Sequence, residues 1–159
     1  MKLNFIFPGK TKEGFLAEGI AHYLKKLRPM ADVQEIVFKS VVGPPGEGAA
    51  AGALARARES TQILERCGAG EYLIVLDVQG ETMDSPALAA KFEGLLLNGA
   101  RVVNLVVGGP WGVDRNLIDR ANLRLSLGPM TYTHELARLI ILEQVYRAFT
   151  IINHLPYHK

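Results

Sequence analysis

A single cysteine, Cys67, excludes an intramolecular disulfide and any cysteine-rich zinc site. No apolar run approaches the ~18 residues that span a bilayer. The opening stretch Leu3–Phe7 is broken by Pro8 and is too short for a secretory core. The expected compartment is therefore the cytoplasm. Charge of one sign is scarce: the formal net charge is +2, well short of the excess that announces a nucleic-acid binder by composition alone. A G-x-G-x-x-G dinucleotide fingerprint is missing, as is a phosphate loop. His134-Glu135 begins like a zinc-protease helix, but Arg138 stands where the second histidine would be, so no metal is expected.

What remains is an ordinary globular composition, 48% apolar and 21% charged over 159 residues, expected to form one domain over 1–159. Strand-like runs alternate with helical periodicity. Leu3–Phe7 ends at the turn Pro8-Gly9, and Phe15, Leu16, Ile20, Tyr23, Leu24 and Leu27 recur at helical spacing until Pro29. Val33–Phe38 alternates like a strand with one wet face. Gly43–Gly48 reads as a surface loop and Ala49–Cys67 as a helix. Tyr72–Asp77 is a buried strand. Asp84 or Ser85 caps a helix with Pro86 in its first turn, and Gly99 closes it. Val102–Val107 is a further buried strand, followed by a short helix from Asp114 to about Arg120, a strand at Leu123–Leu127 and a long helix at His134–Ile152. This order predicts an α/β fold with a parallel sheet and helices on both faces. The last helix is apolar on nearly every side, which points to a partner subunit over its second face and hence to a homodimer.

In such sheets ligands gather beyond the carboxyl ends of strands. Three segments qualify: Asp77–Gly80, Gly108–Gly112 and Leu127–Tyr132. Their glycines let a ligand approach the backbone, and they equally suit plain strand-to-helix turns. The tail, Asn153 to Lys159, packs Tyr157, His158 and Lys159 together. That set can stack on a base, hydrogen-bond to it and neutralise a phosphate, or simply be solvated. Lys10, Lys12, Lys25, Lys26 and Arg28 concentrate positive charge near the N-terminus, as a solvated face also would. Glu143 and Arg147 stand at ion-pair spacing, and Trp111 suits a loop anchor or a stacking partner.

Together these segments are identified by their order and spacing. Leu76-Asp77-x-x-Gly80, Gly108-Gly109-Pro110, Leu125-Ser126-Leu127 leading to Thr131 and His134, Glu143–Ala148, and Pro156-Tyr157-His158-Lys159 occur in one series. The chain thereby resembles the ribosomal RNA large-subunit methyltransferase H family, a compact branch of the SPOUT methyltransferases, over essentially its whole length. The resemblance implies a C-terminal deep trefoil knot and S-adenosylmethionine held against Leu76, Gly108 and Leu127, Gly128, Pro129, Met130, Thr131 and Tyr132. It implies methylation of N3 of a pseudouridine in large-subunit ribosomal RNA on assembled ribosomes. That transfer is an in-line displacement needing alignment, exclusion of water and an acceptor for the N3 proton. His134, Tyr157 and His158 are expected near the target base, with Arg138 and Lys159 supplying positive charge and the tail reaching the partner's cofactor pocket. Two rivals are a flavodoxin-like mononucleotide-binding redox domain and a non-catalytic ribosome-binding factor.

Overall fold

The computed structural model describes residues 1–41 and 48–159. The loop expected at Gly43–Gly48 therefore falls outside the described residues except for Gly48. Ten elements follow in order: β1 (Lys2–Pro8), α1 (Gly14–Leu27), β2 (Asp32–Phe38), α2 (Ala49–Leu64), β3 (Tyr72–Thr82), α3 (Ser85–Leu97), β4 (Val102–Val106), α4 (Arg115–Arg120), β5 (Leu123–Ser126) and α5 (His134–Ile152). The strands form one parallel sheet in the order β2-β1-β4-β3-β5, as the alternation of elements requires.

Each strand alternates its side chains between two cores. Leu3, Phe5 and Phe7 of β1 and Val103 and Leu105 of β4 face α1, α3 and α5. Ile6, Leu73, Val75 and Val106 face α2 and α4, where Ile63 and Leu117 meet them. The central strands are buried on both sides, which is why their sequences are continuous apolar runs. Edge strand β2 keeps Asp32, Gln34 and Glu35 exposed and buries only Phe38, as its alternation predicts.

Caps set the helix starts. Asp84 accepts from Ala87 N at 2.8 Å with Pro86 in the first turn of α3. Thr133 accepts from Leu136 N at 3.2 Å at the start of α5. Asp114 begins α4 without a side-chain cap; its own N–H is held by Ser60 Oγ at 2.8 Å.

One expectation is corrected. Tyr72–Asp77 is not followed by a simple turn: β3 runs on to Thr82, with residues 77–80 bulged out, so that Leu76 and Glu81 both register with Leu125. Gly80 makes this possible, since a Cβ there would stand 2.7 Å from the Arg124 carbonyl. The apolar surround of α5 also has a source within the chain: α5 lies between α1 and α3 beneath the sheet, and its Ile141, Leu142, Val145, Ala148 and Phe149 are buried there. Leu136, Leu139, Ile140 and Ile152 of the same helix stay only partly buried.

Candidate active site

Where β3, β4 and β5 end, their loops enclose a cleft of about 630 Å³, within the usual range for small-molecule sites. Leu76, Asp77 and Val78 come from the β3 bulge, Val107–Val113 from the end of β4, and Leu127, Gly128 and Met130–His134 from the approach to α5. Of the residues expected at the cofactor, Leu76, Gly108, Leu127, Gly128, Met130, Thr131 and Tyr132 line the cleft, and Pro129 does not.

Glycine shapes these walls for steric reasons. A Cβ on Gly108 would come within 2.8 Å of Val113 Cγ1 and 2.9 Å of the Gly112 backbone, so only glycine lets this loop close on itself. Gly128 has φ +116°, a conformation that side chains rarely adopt. On the β3 side, Asp77 is fixed by Arg124 Nη2 at 2.6 Å. Trp111, half-exposed, lays its indole against Gly52 of α2, so it is a loop anchor and part of the cleft wall at once.

His134 stands at the rim, with its Nε2 3.9 Å from Glu135 Oε1. Burial and then the Arg138 charge hold its pKa below the ordinary 6.5, against the opposing pull of Glu135 and Glu59 and with a further push from Lys12. The imidazole is neutral at pH 7 and can accept a proton. Arg138 does not reach the cleft surface. It is fully buried, its Cζ 5.0 Å from the Phe7 ring centroid, and donates to Pro8 O at 2.6 Å, Gly9 O at 3.0 Å and Thr11 Oγ1 at 3.1 Å. Glu135 complements it: its Oε2 accepts from Lys12 N at 3.0 Å and Glu13 N at 3.1 Å. Burial opposes ionisation of Glu135, but these two N–H groups, together with the charges of His134 and Arg138, outweigh it and keep the carboxyl below its usual range. Sequence reasoning missed this clamp. It also missed Glu59, a buried carboxylate that accepts from Ser40 Oγ at 2.5 Å and Val41 N at 3.0 Å beneath Gly109.

Tyr157 lies elsewhere. Its hydroxyl donates to Glu143 Oε1 at 2.9 Å and is 3.3 Å from Tyr23 Oη, while its ring meets Tyr146 edge-on. Burial and these hydrogen bonds push its pKa upward. Lys26 Nζ sits 5.1 Å over Tyr146 and 5.7 Å over Tyr157, and Arg147 pairs with Glu143 at 2.5 Å, the spacing foreseen from sequence. Nine residues of helix separate Glu143 from His134, about 14 Å of rise. One chain therefore does not bring Tyr157 to its own His134. His154, His158 and Lys159 are exposed. Among the described residues no group of three or more His, Cys, Asp or Glu could hold a metal, and no helix is long and apolar enough to cross a membrane.

Residues 1–158 match the family described as predicted SPOUT methyltransferase. The chain belongs to the SPOUT methyltransferase family. Its relatives include the ribosomal RNA large subunit methyltransferase H of Acetivibrio thermocellus, 39% identical, that of Halothermothrix orenii, 38% identical, and that of Ruminiclostridium cellulolyticum, 36% identical. In each case all of this chain and all of the relative are covered. The chain is thus a methyltransferase, in a family that uses S-adenosylmethionine, and the resemblance read from sequence is borne out.

Proposed function

We propose that this protein transfers a methyl group from S-adenosylmethionine to N3 of a pseudouridine in large-subunit ribosomal RNA, on assembled ribosomes in the cytoplasm, as a homodimer. The observation that carries this reading is the convergence of three strand-end loops on one cleft with a neutral histidine at its rim. The names of relatives matched over their full length supply the substrate class.

The cleft fits the cofactor. Leu76, Val107 and Leu127 offer apolar surface for an adenine, and the glycines at 108 and 128 allow backbone contact with polar groups. When bound, S-adenosylmethionine supplies an electrophilic methyl group. The chain must then orient the base, exclude water and remove the N3 proton. His134 is the proton acceptor in this scheme. Arg138 acts as a positioning residue through the β1–α1 connection, not as a contact to the base.

The homodimer rests on the tail. Tyr157 is held 14 Å or so along α5 from His134, so a site containing both takes them from two chains, with Tyr157, His158 and Lys159 delivered to the partner's cleft. The C-terminal knot and a single SPOUT-like domain over 1–159 are supported by the path of the chain. β5 stands outside β3 at the sheet edge, yet α5 lies inward of α3 against α1. Residues 127–133 must therefore cross the connection between β3 and α3.

Methyl transfer from labelled S-adenosylmethionine, compared between intact ribosomes and free ribosomal RNA, tests the reading. Label on pseudouridine in ribosomes is expected. Cofactor binding without transfer to either would move the substrate elsewhere, and absence of cofactor binding would end the proposal.

A further inference from the structure

The N-terminal lysines stand out in the sequence but have no part in the cleft. Lys10 and Lys12 lie between β1 and α1, and Lys39 directly follows β2; all three are exposed. The two connections are tied side by side, because Gly9 N donates to Phe38 O at 2.7 Å. Three ammonium groups from two adjacent strand ends thus share the carboxyl edge of the sheet with His134. Among the described residues none of them has a carboxylate within ion-pair distance.

Apart from Glu13, the carboxylates that approach these connections are turned inward. Glu135 is buried, with its Oε2 accepting from Lys12 N and Glu13 N; Glu59 is buried, with its Oε1 accepting from Ser40 Oγ and Val41 N. Arg138, also buried, fixes Pro8, Gly9 and Thr11 from below. The connection carrying Lys10 and Lys12 is therefore immobilised by charged groups that stay inside, while its ammonium groups stay outside. A sorting of negative charge inward and positive charge outward, on a rigid backbone, gives a surface for a polyanion. Fixed lysines of this kind serve as point contacts to phosphate oxygens that set register without reading sequence.

We propose that Lys10, Lys12 and Lys39 form a phosphate-binding ridge that grips the RNA backbone beside the target nucleotide. The ridge rests on the reading of the substrate as ribosomal RNA. It adjoins the cleft through Lys12, whose N–H is held by Glu135, the residue next to His134, and an RNA strand that leaves the cleft mouth on the β1 side meets it. Glu13, exposed at the start of α1, is the carboxylate that bounds it on one side.

The test is binding of the full-length protein to ribosomes over a series of salt concentrations, with methyl transfer and S-adenosylmethionine affinity measured in parallel. For the triple variant Lys10→Ala, Lys12→Ala, Lys39→Ala, ribosome affinity should fall roughly 10-fold or more and the slope of log affinity against log salt should flatten by about 2. Its cofactor affinity should match the wild type, and the corresponding triple Lys→Arg variant should retain the wild-type slope. An alanine variant with wild-type affinity and slope overturns the ridge. If the wild type methylates ribosomes while that variant is unaltered, the ridge fails and the enzymatic reading stands. If the wild type binds with a lysine-dependent slope but transfers no methyl group, the enzymatic reading fails and the ridge stands. If the wild type neither binds nor transfers, both fall.

Discussion

Arg138 Nη2 donates to the carbonyl of Pro8 at 2.6 Å, joining the second turn of the last helix to the end of the first strand across 130 residues. Such a bond is charge-assisted and buried, so its loss leaves acceptors that water does not reach. Arg138→Ala strands the carbonyls of Pro8 and Gly9 and opens a cavity, and should cost roughly 3 kcal/mol or more. Arg138→Lys, which keeps charge but loses the fork, should fall between the two. Denaturant midpoints at constant slope would measure both; an unchanged midpoint for the alanine variant would remove the clamp from the account.

Acid should silence the enzyme through His134. Its pKa lies below 6.5, because burial and Arg138 oppose the charged form more than Glu135 and Glu59 favour it. The neutral, proton-accepting imidazole therefore persists as pH falls through 6.5 and is lost only lower down. The acid limb of kcat/KM should accordingly lie below 6.5. In His134→Gln kcat should drop on the order of 10²-fold and that limb should vanish. A limb above the ordinary histidine value, or one that survives the substitution, contradicts the assignment.

Gly108→Ala should damage cofactor binding while sparing the fold. The added methyl meets the Gly112 backbone and Val113 below 3 Å, and the loop must shift to relieve it. Calorimetry should show S-adenosylmethionine affinity reduced about 10-fold or more, equivalent to about 1.4 kcal/mol, with circular dichroism unchanged. Wild-type affinity would mean that this loop is not a cofactor wall.

If the site is shared between subunits, two dead variants should rescue each other. Co-refolding His134→Ala with Tyr157→Ala produces mixed dimers in which one cleft has an intact histidine and receives an intact tail. Activity should return in the mixture above the level of either variant alone. Mixing that restores nothing, despite mixed dimers shown by mass spectrometry, argues against exchange of tails.

The bulge in β3 carries a stability prediction. Gly80→Ala pushes a methyl group to within 2.7 Å of the Arg124 main chain, which cannot swing away as a side chain can. A loss of about 1–3 kcal/mol is expected from such overpacking, read as a lowered thermal midpoint. A neutral outcome would mean that β5 moves aside freely.

Periodicity made the sheet and its helices legible because each buried strand is a continuous apolar run and each helix repeats its apolar face. The extension of β3 was not legible: apolarity stops at Leu76, and Gln79-Gly80-Glu81-Thr82 reads as a turn. An isolated glycine near a strand is also a bulge signal, and at Gly80 that was the informative reading. The loops of the cleft were found by the rule for strand ends, but Pro129 turned out not to line it. Arg138 is expected from sequence to bring positive charge to the target base, but it is buried away from the cleft. Its partners are carbonyls of residues 8 and 9, and no local pattern shows which distant backbone a side chain will meet. The crowded apolar surface of α5 points to cover on several sides, and no local pattern shows that α1 and α3 supply part of it.

Trp111, the chain's one tryptophan, forms part of the cleft wall while its indole rests on Gly52. Its emission therefore comes from a single known place, free of overlapping signals. Quenching or a wavelength shift during titration would follow occupancy of the cleft without any attached dye. The molecule carries its own optical gauge, positioned by the same loop that closes one side of the cleft.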